Sequence, residues 1–310
     1  GYTYNFSKIT DCVNNGKLNA ENNGAGIIVV GSHCMVANCV NNANINANKN
    51  LGQNFLIDDN VIENIIKTAE IEKNDFVIEI GPGLGTLTSK LVEKAGKVIA
   101  IELDKKMLEI LNDRFALYKN FKVINEDVLK VDLNNLIKEE NDNNYSVKIV
   151  ANLPYYITTP IIMKLLEEKL NINSITVMIQ KEVADRLTEI PGGKNSGAIT
   201  YCVYYYSEAQ EMLTVPNTSF VPEPKVNSEV IRLNIRKEAP VKLNDEKLFF
   251  KIIKASFTQR RKTLVNGLSN SGITTKEKIK EVLQSLKINE NIRGEELTIE
   301  QFAEIANKLF

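Results

Sequence analysis

From Leu51 onward the apolar positions fall into two alternating rhythms. Val61, Ile62, Ile65, Ile66 and Ala69 recur at the spacing of one helix face, behind Asp58 or Asp59 as the capping residue. FVIEI (76–80) is then a short apolar run closed by glycines, the pattern of a strand buried on both faces. A helix-like stretch over 86–95 leads to KVIAIE (97–102), and another over 104–117 leads to FKVIN (121–125). VKIVAN (147–152) and SITVMIQ (174–180) follow, with helical segments before and after. Strands alternating with helices predict a parallel, doubly wound α/β sheet of Rossmann-like form. EMLTVP (211–216) and EVIRLNI (229–235) have no helix between them and predict a terminal hairpin. Beyond RKEAP (236–240) the periodicity stays helical. Residues 51–238 are thus expected to form the α/β domain and residues 239–310 a small all-helical one.

The first fifty residues follow neither rhythm. They hold thirteen asparagines and three of the four cysteines, Cys12, Cys34 and Cys39, and end in NNANINANKN. Such a polar, low-complexity tract cannot build a core, so residues 1–50 are expected to be a disordered or foreign extension. The apolar run GIIVVGSHCMVANCV lacks the basic flank of a signal peptide. His33, Cys34 and Cys39 match no zinc spacing and lack a fourth ligand, so no metal is expected.

Composition narrows the function further. The net charge of −1 means that a nucleic-acid partner must be held by a local basic patch. No apolar run reaches the ~18 residues of a membrane span. Cysteines without paired spacing suit a reducing compartment, and a cytoplasmic protein is expected. His33 is the only histidine, which removes chemistry built on a histidine base.

Two motifs carry the chemistry. GPGLG (81–85) follows a predicted strand and precedes a helix, where glycines let the backbone approach a ligand. Glu102 ends the next strand, about twenty residues on, where a ribose diol would need an acceptor. Asp127 ends the third strand and can accept from an adenine amino group. The spacing is not that of a dinucleotide fold and no P-loop lysine follows, so a nucleoside without pyrophosphate, S-adenosyl-L-methionine, is the expected cofactor. NLPYY (152–156) ends the fourth strand at the same sheet edge. Acceptors at the Asn152 side chain and at the Leu153 or Pro154 carbonyl would make an aromatic amine more nucleophilic, and Tyr155 can stack on the base. A cytosine C5 enzyme would need a cysteine here, and there is none.

LGQNFLID (51–58), VIEIGPGLGTLT (77–88), VIAIELD (98–104), NEDVL (125–129), ANLPYYITTPII (151–162), QKEVADRL (180–187), TSFVPEPKVNSEVIRL (218–233) and FTQRRKTLVNGL (257–268) together resemble the ribosomal RNA adenine dimethyltransferases. The similarity spans Leu51 to Phe310, and is strongest to the small-subunit enzymes. It implies transfer of four methyl groups to two adjacent adenines in the hairpin near the 3′ end of small-subunit rRNA, within an immature subunit, by a monomer. It further implies that Gln53, Asn54, Leu56, Gly81, Gly83, Glu102, Leu103, Asp127, Val128 and Asn152 hold the cofactor. Asn152, Leu153, Pro154 and Tyr155 would meet the base, with Phe220 on the face opposite Tyr155. The sequence departs from the family at its start, where an asparagine-rich tract replaces a short basic segment. Related large-subunit enzymes of the macrolide-resistance type more often read NIPY, and a non-catalytic assembly factor would not need the Gly81, Glu102, Asp127 and Asn152 set.

The expected RNA surface is KIIKASFTQRRKTL (251–264), which carries Lys251, Lys254, Arg260, Arg261 and Lys262 without an acid between them. Lys225 can add a contact near the target base. Cys202, inside TYCVYYY, is expected to be a small core residue, with packing tyrosines beside it.

Overall fold

The computed structural model describes residues 54–310 except 260 and 261, together with four short strands nearer the amino terminus. The chain forms two compact units, Gly1–Asn50 and Leu51–Phe310. In the first, β1 (Ser7–Thr10) pairs in parallel with β3 (Cys34–Ala37), and β2 (Val13–Asn14) with β4 (Val40–Asn41). His33, Cys39 and the side chain of Cys34 lie outside the described residues, as do residues 42–50 of the low-complexity tract.

The second unit is built on a seven-stranded sheet. Its parallel part comprises β6 (Asp75–Ile80), β7 (Lys97–Glu102), β8 (Phe121–Asn125), β9 (Ser146–Asn152) and β10 (Ser174–Gln180). β11 (Ser207–Val215) and β13 (Ser228–Ile235) are antiparallel additions, giving the order β11-β13-β10-β9-β6-β7-β8. Alternation along β6 shows how the two layers form. Phe76, Ile78 and Ile80 enter a core with Leu133 and Ile137 of α4 (Leu133–Glu140) and Ile161, Ile162 and Leu165 of α5 (Thr158–Glu167). Val77 enters the opposite core with α1 (Asp59–Thr68) and α2 (Thr86–Lys94). Each fully buried Leu or Ile side chain contributes about 1.5–3 kcal/mol.

α1 is capped by Asp58, whose Oδ1 accepts from the amides of Asn60 and Val61, and it buries Val61, Ile62, Ile65 and Ile66 as the periodicity predicts. α3 (Lys105–Arg114) stops three residues short of the expected end, and α6 (Lys181–Thr188) and α7 (Ala198–Tyr206) precede β11. β11 begins four residues before EMLTVP. Its edge position leaves one side to solvent, so pairing with β13 defines it where the polar residues SEAQ give no apolar signal. The expected hairpin is an antiparallel pair without a tight turn: the connection 216–227 carries β12 (Phe220–Val221) away to pair with β5 (Phe55–Leu56).

The carboxy-terminal helices α8 (Glu246–Thr258), α9 (Leu264–Asn270), α10 (Lys276–Ser285) and α11 (Ile299–Leu309) enclose a third core. Tyr201 and Tyr205 of α7 enter it. The Tyr201 hydroxyl donates to the Leu297 carbonyl at 2.6 Å, and Cys202 is buried in the sheet core, so this stretch does packing work. No helix among the described residues is long and apolar enough to cross a membrane.

Candidate active site

The chain runs from β6 outward to β7 and β8, then jumps back across β6 to β9. This reversal opens a crevice at the carboxyl ends of β6 and β9, the usual place for a ligand in such sheets. The loop after β6 shapes one wall. Gly81, Gly83 and Gly85 all have left-handed backbone (φ of 67°, 56° and 77°), which glycine adopts without strain. Gly81 faces the end of β9, where an added Cβ would make only ordinary contact with the Asn152 carbonyl, at 4.0 Å.

One cavity gathers Asn54, Leu56, Gly81, Gly83, Glu102, Leu103, Asp127, Val128, Asn152, Leu153, Pro154, Tyr155 and Phe220. These come from six separate stretches of sequence. Gln53, Arg260 and Arg261 lie outside the described residues. Lys225, Lys251, Lys254 and Lys262 are exposed and do not line the cavity. Asp127 does not end a strand: β8 stops at Asn125, and Asp127 sits in the following turn, where its Oδ1 accepts from the Leu129 amide at 3.0 Å.

Glu102 is 6% exposed, and its carboxylate accepts from the amides of Gly83 (3.1 Å) and Asp104 (2.8 Å). Burial raises its pKa, against the pull of those two amides. A carboxylate has about four acceptor sites, so capacity remains for a ligand hydroxyl. Glu79 also lines the cavity, a role for which its place as an acid inside an apolar run is the one sequence signal. It is 1% exposed and accepts from the Thr88 hydroxyl at 2.6 Å. Burial, opposed by that hydrogen bond and reinforced by the nearby Glu102 charge, pushes its pKa to about 8. With Glu126 and Asp127, four carboxyl groups line the cavity, and among the described lining residues there is no lysine, arginine or histidine.

At the floor, the Asn152 side-chain amide donates to the Asn54 carbonyl at 3.4 Å, which leaves its Oδ1 as an acceptor. The Pro154 carbonyl already accepts from the Ile157 amide (3.2 Å) and the Thr158 hydroxyl (3.1 Å). Tyr155 opens a single 3-10 turn, Tyr155–Ile157, and its hydroxyl pairs with Ser228 Oγ at 2.7 Å. Its half-burial raises the phenol pKa, an effect that the Ser228 bond opposes. Phe220 is buried and arrives through the β5–β12 pairing, where it sits opposite Leu56. The Ser219 hydroxyl donates to Asp58 Oδ2 at 3.0 Å, so the residue that caps α1 also fixes the Phe220 turn.

A family model described as Ribosomal RNA adenine dimethylase matches residues 44–310. The chain is 53% identical over 262 residues to a protein named Ribosomal RNA small subunit methyltransferase A from Lachnoclostridium phytofermentans, covering 84% of this chain and 90% of that one. A protein of the same name from Clostridioides difficile is 48% identical over 259 residues, with 84% and 89% covered. Among solved structures, a dimethyladenosine transferase from Plasmodium falciparum matches with a TM-score of 0.68 and 25% identity, over 81% of this chain and 95% of that one. The 23S rRNA methyltransferase ErmE matches with a TM-score of 0.62 and 25% identity, over 83% and 99%.

Proposed function

The chain belongs to the ribosomal RNA adenine dimethylase family, and from that premise we propose that it dimethylates the N6 amino groups of two adjacent adenines in the 3′-terminal hairpin of small-subunit rRNA. The cavity suits S-adenosylmethionine. The carboxylates of Glu102, Glu126 and Asp127, with no cation among the described lining residues, favour a ligand that is positively charged and carries no phosphate. When bound, that cofactor supplies an electrophilic methyl group on a positively charged sulfur. Glu102 accepts from the ribose hydroxyls, Asp127 from the adenine amino group, and Leu103 and Val128 provide apolar wall. Asn54, Leu56, Gly81 and Gly83 complete the pocket, with Gln53 assigned to it on resemblance.

The observation that carries the reading is the pair of acceptors at the end of β9. Asn152 Oδ1 takes one hydrogen of the target amine. Because the Pro154 carbonyl is already used twice within the turn, the Leu153 carbonyl takes the other. Both contacts draw the nitrogen lone pair out of conjugation and toward the methyl donor. Tyr155 and Phe220 hold the two faces of the base, so it stays in line for transfer. A monomethylated amine retains one hydrogen and one contact, so a second transfer proceeds, whereas a dimethylated amine retains none.

The substrate is an under-methylated, immature small subunit in the cytoplasm. Action as a monomer is part of this reading and rests on the family resemblance. Lys225, Lys251, Lys254, Arg260, Arg261 and Lys262 bind RNA phosphates. The likeness to ErmE raises a large-subunit alternative, but NLPY at 152–155 and the high identity to proteins named for the small subunit favour the first reading. Methyl transfer measured side by side on immature small subunits and on large-subunit RNA decides between them: label is expected in the small subunit, and label confined to large-subunit RNA would overturn the proposal.

A further inference from the structure

The two tyrosines of NLPYY have different surroundings. Tyr155 is half-buried with its hydroxyl tied to Ser228. Tyr156 is 59% exposed, yet it lines the same cavity. Among the described residues its ring pairs with no other ring, and its hydroxyl has no hydrogen-bond partner. Its backbone is nevertheless held, because the Pro154 carbonyl closes the 3-10 turn through the Ile157 amide. A fixed backbone therefore presents a bare aromatic face at the lip of the pocket.

We propose that Tyr156 is a stacking platform for the nucleobase next to the one in the pocket, an inference that rests on the adenine-dimethylase reading. A base drawn into the cavity brings its covalently linked neighbour to the lip. That neighbour has lost a stacking partner, and an exposed phenol ring replaces it. The substrate contains two adjacent target adenines, so the neighbour is unmodified in one round and already methylated in another. A residue that hydrogen-bonded to the neighbour's N6 would lose its contact after methylation. A ring reads the π face, which methylation leaves in place, so one residue serves every round.

The test uses the full chain and small-subunit particles whose RNA carries an abasic ribose at one or the other of the two adenines. At one of these positions the abasic site should lower wild-type kcat/KM for the remaining adenine by about 5- to 150-fold, the loss of one stacked base. Tyr156→Ala should already show a comparable loss on intact RNA and little further loss with the abasic site. Tyr156→Phe, which keeps the ring, should retain the wild-type sensitivity. Wild-type indifference to both abasic positions would overturn the proposal. So would equal abasic losses in wild type and Tyr156→Ala, or a Tyr156→Phe variant that behaves like Tyr156→Ala. Failure of the wild type to methylate intact small-subunit RNA would be a separate result, and would remove the dimethylase reading together with this inference.

Discussion

Glu102 and Glu79 lie on neighbouring strands in the same crevice, but their surroundings assign them different work. Glu102 is held by two amides and lines the cavity, and with the ribose-acceptor role proposed for it Glu102→Ala should weaken S-adenosylmethionine binding at least tenfold, given about 1.5–3 kcal/mol for a hydrogen bond to a charged group. Calorimetry showing unchanged affinity in a folded variant would remove Glu102 from the site. Glu79 has one hydroxyl partner and almost no solvent, and its pKa of about 8 makes it a pH-dependent element of stability. Its folded-state pKa is raised, so its contribution is fully present below the ordinary value of 4.5 and is lost as pH rises through about 8. Thermal denaturation of the cofactor-free protein should show this decline across pH 4.5–8, and Glu79→Gln should flatten it. Superimposable pH profiles would contradict the assignment. The sequence made Glu102 legible because its spacing from GPGLG has a chemical reason. Glu79 was not legible, because an acid within a strand shows its burial only once α2 covers it.

At the scale of elements, GPGLG serves two surfaces at once. Gly81 and Gly83 border the cavity, whereas Gly85 supports α3 and the start of α2: a Cβ there would lie 2.6 Å from the Phe115 ring, on backbone with φ of 77°. Left-handed strain of about 1–2 kcal/mol plus overpacking of about 1–3 kcal/mol should therefore destabilise Gly85→Ala. Denaturant titration is expected to show a loss of about 2 kcal/mol or more, and an unchanged midpoint would mean that Phe115 moves aside freely. The buried strands β6, β7, β9 and β10 were readable because apolar runs between glycine and polar turns suit a two-sided core. β5 and β12 were not, since each has two residues and exists only through the other. Their pairing delivers Phe220 to the cavity, a fact of tertiary structure for which the chain carries no local signal. Replacing Tyr155 or Phe220 by Ala should depress methyl transfer far more than cofactor affinity, by roughly the 1–3 kcal/mol of base stacking. Full turnover in both variants would dissolve the proposed clamp.

Over the whole molecule, charge is divided by location. The cavity is acidic, while Lys251 and Lys254 stand exposed on α8 with Lys262 just beyond it, and Lys225 is exposed in the connection that carries Phe220. A net charge of −1 thus conceals an acidic pocket and separate exposed lysines. Neutralising Lys251, Lys254 and Lys262 together should weaken binding to the ribosomal substrate and reduce its salt slope by about one unit per lost contact. An unaltered slope would shift the phosphate contacts elsewhere, with Lys225 next to be examined. With the roles proposed for them, the acceptor pair at Asn152 and Leu153 should drive each target amine to the dimethyl state and no further. Mass spectrometry of small-subunit RNA from under-methylated particles, after incubation with this chain and S-adenosylmethionine, tests it most directly. The expected product is N6,N6-dimethyladenine at two adjacent positions near the 3′ end; a reaction that ends at monomethyladenine, or leaves those two adenines unmodified, would contradict it.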